Sequence, residues 1–249
     1  MSEARPVSAT TAVEHRHVIA IDGPAAAGKS TVARLLADRL GAMLFDTGVL
    51  YRVVALIALR CGAEPSDEDA LAHIAREARI RVTPPSQLDG RLYDVWLDGE
   101  DVTWAIREPE VGAIVSPVAE HQAVRSALLP LQRAIASAGP VVMVGRDIGT
   151  VVVPDAGLKV YLDASPHERA RRRYREALGR GSDETFADVL AETRTRDAID
   201  SGRDAAPLRE APDAVRINTD GQSIDAVVAA IESLARAQRM PNGDPVWTS

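Results

Sequence analysis

Short runs of β-branched and other large apolar residues recur along this chain. Between them lie longer stretches whose apolar positions fall every third or fourth residue. The first run is Val18-Ile19-Ala20-Ile21, followed by Val32, Leu35, Leu36 and Leu40 at helical spacing and then by Gly41, a residue suited to ending a helix. Met43-Leu44-Phe45 predicts a second strand ending at Asp46-Thr47-Gly48, and 51–59 predicts a helix apolar on most faces and therefore deeply packed. Val141–Val144 and 158–162 read as buried strands leading into Gly145-Arg146-Asp147 and Asp163-Ala164-Ser165. A last strand over Val215–Asn218 and a helix over 224–237 close the pattern. Such alternation specifies an α/β fold with a parallel sheet.

One region departs from it. Ser66-Asp67-Glu68-Asp69 reads as a helix start leading into 70–78. Residues 79–82 and 91–97 then alternate as strands do, around a turn containing Pro84, Pro85 and Gly90, with a further turn at Asp98-Gly99. This predicts a small antiparallel insertion over 63–105. Pro109 opens a helix to about Ser116, and a second covers about 119–138, where Pro130 is expected to kink or break it. Ser165-Pro166-His167-Glu168 combines an N-cap, a first-turn proline and a capping-box glutamate. A further helix is expected over 184–199. The chain thus divides into a polar tail (1–16), core segments (17–62, 106–165, 184–239), the insert (63–105), an arm (166–183) and a second tail (240–249).

Composition narrows the options. Of the 249 residues 46% are apolar but only 4% aromatic, so Leu, Val, Ile and Ala must fill the core. A net charge of −7 argues against non-specific nucleic-acid binding. No apolar run approaches the roughly 20 residues of a membrane span, and the first sixteen residues carry no apolar signal core. Cys61 is the lone cysteine, which excludes an internal disulfide and fits a reducing cytoplasm. Placed after an apolar helical run, it is expected to be buried. The five histidines have no metal spacing.

The chemistry is concentrated after the first strand. Gly23-Pro24-Ala25-Ala26-Ala27-Gly28-Lys29-Ser30 fits G-x-x-x-x-G-K-[ST], in the strand–loop–helix context such a phosphate-binding loop requires. Its glycines let backbone N–H groups converge on phosphate oxygens, and the following helix adds its positive end. Lys29 and Lys159 are the only lysines among 29 Lys and Arg residues. Lys29 can follow the β- and γ-phosphates, and Ser30 can offer its hydroxyl to Mg²⁺.

Beyond the loop the residues leave alternatives open. No N-K-x-D motif for guanine is present, and Val141–Val144 ends in Gly-Arg-Asp rather than in an acidic strand end. Arg146 at such an end faces the ligand crevice of a parallel sheet, where a phosphotransferase needs positive charge. Arg169, Arg172 and Arg173 share one helical face, either solvated or folded as a lid over a triphosphate. Arg194, Arg196 and Arg203, interleaved with Asp197 and Asp200, form a second cluster of equally open meaning. A kinase for another small acceptor and a nucleotide-sensing module both remain compatible with these features.

The segments IDGPAAAGKST, FDTGVLYR, VGRDIGTVVVPDA, KVYLDAS and RTRDAIDSGR, in this order and spacing, closely resemble bacterial cytidylate kinases over roughly 17–237. The resemblance implies the nucleoside-monophosphate-kinase fold: a parallel five-stranded core sheet flanked by helices, a monophosphate-binding domain with a small antiparallel β insert, and a short lid at 166–183. It implies Mg²⁺-dependent transfer of the γ-phosphoryl group of ATP to CMP or dCMP, in a cytoplasmic monomer with neither nucleic-acid nor membrane partners. By position, Gly28, Lys29, Ser30 and Thr31 would hold ATP phosphates, with Gly23 to Ala27 forming the loop and Arg169, Arg172 and Arg173 closing over it. Arg52, Arg146 and Arg203 would hold the acceptor phosphate. Ser116, Arg125 and Asp147 would read cytosine, with Thr47 close by. Asp200 would contact the sugar and Arg196 the reaction centre. Thr47 stands where some relatives have serine, and Pro130 bears on how the helix carrying Arg125 packs.

Overall fold

The computed structural model describes residues 15–179, 181–202, 208–238 and 246–247, with the side chains of 199–202 outside the description. Strand β1 (Val18–Asp22) is buried at all five positions and pairs on both sides, with β6 (Val141–Val144) and β7 (Leu158–Asp163). Strands β2 (Met43–Asp46) and β8 (Val215–Asn218) complete a parallel five-stranded sheet in the order β2-β6-β1-β7-β8. Burial on both faces explains why β1 and β6 read as continuous apolar runs, whereas β8, at the edge of the sheet, is largely exposed. Fully burying each Val or Ile contributes roughly 1.5–3 kcal/mol. In this parallel arrangement Asp22, Asp46, Val144 and Asp163 all end on one edge, and the ligand crevice of such a sheet opens there.

Helix α1 (Lys29–Leu40) stops at Gly41, whose φ of 61° supplies the left-handed cap, and α2 (Gly48–Cys61) stops likewise at Gly62. Helix α3 (Glu68–Glu77) is capped by Asp67, whose side chain accepts from the Ala70 N–H. The insert is a three-stranded antiparallel sheet, β3 (Ile80–Thr83), β4 (Asp94–Leu97) and β5 (Glu100–Asp101). Its middle strand begins later than the sequence pattern suggests. Arg91 is buried instead in an ion cluster, donating to Asp89, Asp94 and Asp101 at 2.7–2.9 Å.

Helix α4 (Pro109–Glu120) runs past the expected end at Ser116. Helix α5 (Gln122–Ser137) continues through Pro130, so the break, one of the two outcomes expected there, does not occur. The ring lies on the exposed face, so the carbonyl deprived of its N–H partner is turned to solvent. Helices α6 (Pro166–Gly179), α7 (Phe186–Gly202) and α8 (Ile224–Arg236) follow. At α6 only half of the capping box forms. Ser165 Oγ accepts from the Glu168 N–H, but the Ser165 N–H goes to Asp220, because the Glu168 carboxylate pairs with Arg171 and Arg172.

Three other expectations are corrected. Cys61 is exposed, because it lies in the last turn of α2 on the side away from the core. His15, expected within the polar tail, is 9% exposed and bonds to Asp155 and Ser137. In the C-terminal segment, Trp247 is buried and joins the hydrophobic core.

Candidate active site

The loop between β1 and α1 has the geometry its sequence requires. Gly23 takes φ 145°, and a Cβ there would sit 2.0 Å from the Leu162 carbonyl oxygen. Gly28 caps α1 at φ 93°, and Ala26 is also left-handed, at φ 60°. Lys29 Nζ donates to the Gly23 and Pro24 carbonyls at 2.8 Å each, and Ser30 and Thr31 open to the cleft. These N–H groups and this ammonium form a site for phosphate oxygens at a helix N-terminus.

On one side of the loop lies a cleft of about 270 Å³. Lys29, Ser30, Thr47, Arg52, Ser116, Arg125, Arg146, Asp147 and Arg196 all line it, although they come from α1, the end of β2, α2, α4, α5, the loop after β6, and α7. Arg125 Nη2 donates to Asp147 Oδ2 at 2.5 Å, and its guanidinium lies 5.3 Å from the centre of the Tyr51 ring. Both partners are largely buried, so this charged pair is held in place before any ligand arrives. Thr47 donates its hydroxyl to the Val144 carbonyl, and Arg52 donates to the Ile106 carbonyl.

On the other side is a larger cavity of about 690 Å³, running from Ala26 to Thr31 past Glu168, Arg172 and Arg175 to Gln222 and Val227. Arg169, Arg172 and Arg173 of α6 part company here. Arg172 donates to Thr219 and to the Ala26 carbonyl at 3.4 Å, so it faces the loop. Arg169 is buried and grips Asp197 with both guanidinium nitrogens at 2.6 and 2.7 Å, reaching the Ala25 carbonyl at 3.5 Å. Arg173 turns to α7, donating to Glu192 and Thr193. Arg203 and the side chain of Asp200 lie outside the described residues.

Several site residues escape the sequence reading. Asp46 lines the smaller cleft, and burial raises its carboxyl above the usual range, against the Gly48 N–H, Lys29 and Arg52. Tyr51 walls the same cleft, with its phenol bonded to Gln132. Asp22 is buried behind it, and Arg175, Thr219 and Gln222 line the larger cavity. Asp22 and Asp46 both sit at carboxyl ends of parallel strands, the same rule that singles out Arg146.

Among the described residues no three His, Cys, Asp or Glu side chains are gathered to hold a metal ion. The oxygen donors at the cleft, Ser30 Oγ and the Asp46 carboxylate beside Lys29, suit a hard cation that leans mainly on substrate phosphates.

A phosphate loop on a parallel sheet, with a second arginine-lined cleft across from it, defines a P-loop nucleotide kinase. The family model for cytidylate kinase matches residues 19–237. The chain is 50% identical over 218 residues to the cytidylate kinase of Herpetosiphon aurantiacus, covering 88% of this chain and 93% of that protein. It is 51% identical over 215 residues to that of Roseiflexus castenholzii (86% and 91%), and 48% over 219 to that of Geobacillus thermodenitrificans (88% and 96%). The chain belongs to the cytidylate kinase family, phosphotransferases that move a phosphoryl group to CMP.

Proposed function

We propose that this chain transfers the γ-phosphoryl group of ATP to CMP or dCMP, giving ADP and CDP or dCDP, with Mg²⁺ and without a covalent intermediate. The observation carrying this reading is the convergence of Arg52, Ser116, Arg125, Arg146 and Asp147 on one cleft that also contains Lys29. Asp147 accepts from cytosine N4–H₂ while Arg125 donates to the ring acceptors. Uracil places O4 against the carboxylate and is disfavoured. Ser116 completes the base contacts, and Thr47 and Tyr51 pack beside the nucleoside.

Arg52 and Arg146 hold the acceptor phosphate, together with Arg203. Arg196 stands nearer the transferring group, and Asp200 contacts the sugar. The loop from Gly23 to Thr31 holds the triphosphate of ATP, and Arg172 and Arg175 flank the rest of the donor. Both reactants are anionic, so their mutual repulsion is a large part of the barrier. Lys29 and the arginines offset it and stabilise the equatorial oxygens, in a cleft that aligns donor and acceptor. Ser30 and Asp46 would hold Mg²⁺, which would supply positive charge against the phosphates. We further propose that the protein acts as a monomer in the cytoplasm.

A coupled ADP-release assay across CMP, dCMP, UMP, AMP and GMP tests the reading. Turnover is expected with CMP and dCMP, with UMP at least about tenfold poorer in kcat/KM. Equal turnover with UMP or AMP, or ADP release indifferent to acceptor, would contradict it.

A further inference from the structure

Asp22 has no place in the chemistry above, yet its carboxylate is 5% exposed at the end of the central strand, one residue before the first glycine of the phosphate loop. Its two oxygens accept the backbone N–H groups of Ile148 and Gly149, at 2.9 and 2.8 Å. Those residues open a π-helical turn, Ile148–Val152, directly after Arg146 and Asp147. One side chain of β1 therefore ties down the segment that presents both the phosphate-facing arginine and the base-facing carboxylate.

The fit around this clamp is close. A Cβ on Gly149 would stand 3.1 Å from Lys159 Cδ and 3.5 Å from Asp22 Oδ2, so the turn is held between a lysine stem and the carboxylate. Gly145, on the other flank, would bring a Cβ to 2.6 Å from Ile148 Cδ1. Burying a carboxylate here is costly, and burial raises its pKa to about 6, with Asp147 adding to the rise and Lys29 opposing it.

We propose that Asp22 is a positioning residue that fixes the Arg146–Asp147 segment toward the acceptor, coupling the donor loop to acceptor selection. This rests on the assignment of Asp147 as the reader of cytosine.

The test compares the parent with Asp22→Asn and Asp147→Asn. Asp22→Asn keeps the side chain's size, but it can accept only through one oxygen and sets an amide donor against the second N–H. Hydrogen exchange should then rise about tenfold over 145–153 and stay unchanged over 29–40. The ratio of kcat/KM for CMP over UMP should fall about 10- to 100-fold, with KM for ATP within about twofold of the parent. This ratio does not depend on the fraction of enzyme folded, so general destabilisation would leave it alone. Gly149→Ala, whose added Cβ would crowd the Lys159 stem and the Asp22 carboxylate, should lower the ratio too and serves if Asp22→Asn folds poorly. Unchanged exchange over 145–153 in Asp22→Asn would overturn the proposal. So would a parental ratio in Asp22→Asn alongside a collapsed one in Asp147→Asn. If Asp147→Asn keeps the parental ratio, the base-reading assignment fails instead. Asp22 is then judged on exchange and on KM for CMP, which should rise about tenfold or more if it positions Arg146.

Discussion

Asp22, Asp46 and Arg146 stand at or just beyond the ends of three parallel strands, and their surroundings give them different work. Arg146 lines the cleft that also contains Lys29, where the proposed mechanism sets its charge against oxygens that gain charge during transfer. Arg146→Ala should lower kcat by about 10²-fold, as removal of one transition-state donor does. Steady-state rates at saturating CMP check this, and near-parental turnover would remove it from that role. Asp22 carries a measurable pH signature. Its folded-state pKa of about 6 lies above the ordinary 3.8, so between these values the native form holds the extra proton. Stability contributed by that proton is lost as pH rises from about 4 to 6, by up to about 3 kcal/mol. Asp22→Asn lacks this loss. Urea unfolding at pH 4.5 and 7 should show the variant's stability relative to the parent rising with pH, and parallel profiles would contradict it. Neither Asp22 nor Asp46 stands out by residue type in a chain with 36 acidic residues, and their meaning comes from the strand ends that carry them.

At the scale of elements, regular patterns translate directly into structure, while positions set by distant partners do not. Asp67 caps α3 and Ser165 caps α6 as their local sequences require. The start of β4 is later than the alternation suggests because Arg91 finds three carboxylates, two of them on flanking segments. Arg169, Arg172 and Arg173 of α6 share a helical face on paper, yet Asp197, Thr219 and Glu192 draw them to different partners. Such choices depend on α7 and β8, far along the chain. Pro130 is the clearest case of context deciding, since its exposed position offsets part of the penalty for a missing hydrogen bond and the helix continues through it. Pro130→Ala restores that bond at some cost in unfolded-state entropy, so a net gain of about 1–2 kcal/mol is expected. Thermal unfolding should show a raised Tm, with KM for CMP unchanged. A lowered Tm would mean that the proline shapes the packing of α5.

In the molecule as a whole, the parallel sheet sets the phosphate loop at the mouth of a crevice and leaves other segments to define what enters it. The five strands and the loop could be read from apolar runs and one glycine-rich motif. The arginine-lined cleft proposed for the acceptor could be assembled in advance only through resemblance, because its residues lie from Lys29 to Arg196 and no local pattern joins them. Pairing Arg125 with Asp147 brings α5 against the loop after β6, a contact spanning 22 residues. The proposed division of the crevice into donor and acceptor halves is most directly tested by bisubstrate kinetics of Arg125→Ala. KM for CMP should rise about 10- to 100-fold while KM for ATP stays within about twofold, in line with the loss of a buried charged donor. A KM for CMP that does not move, or one that rises in step with KM for ATP, would contradict the assignment of this cleft to the acceptor.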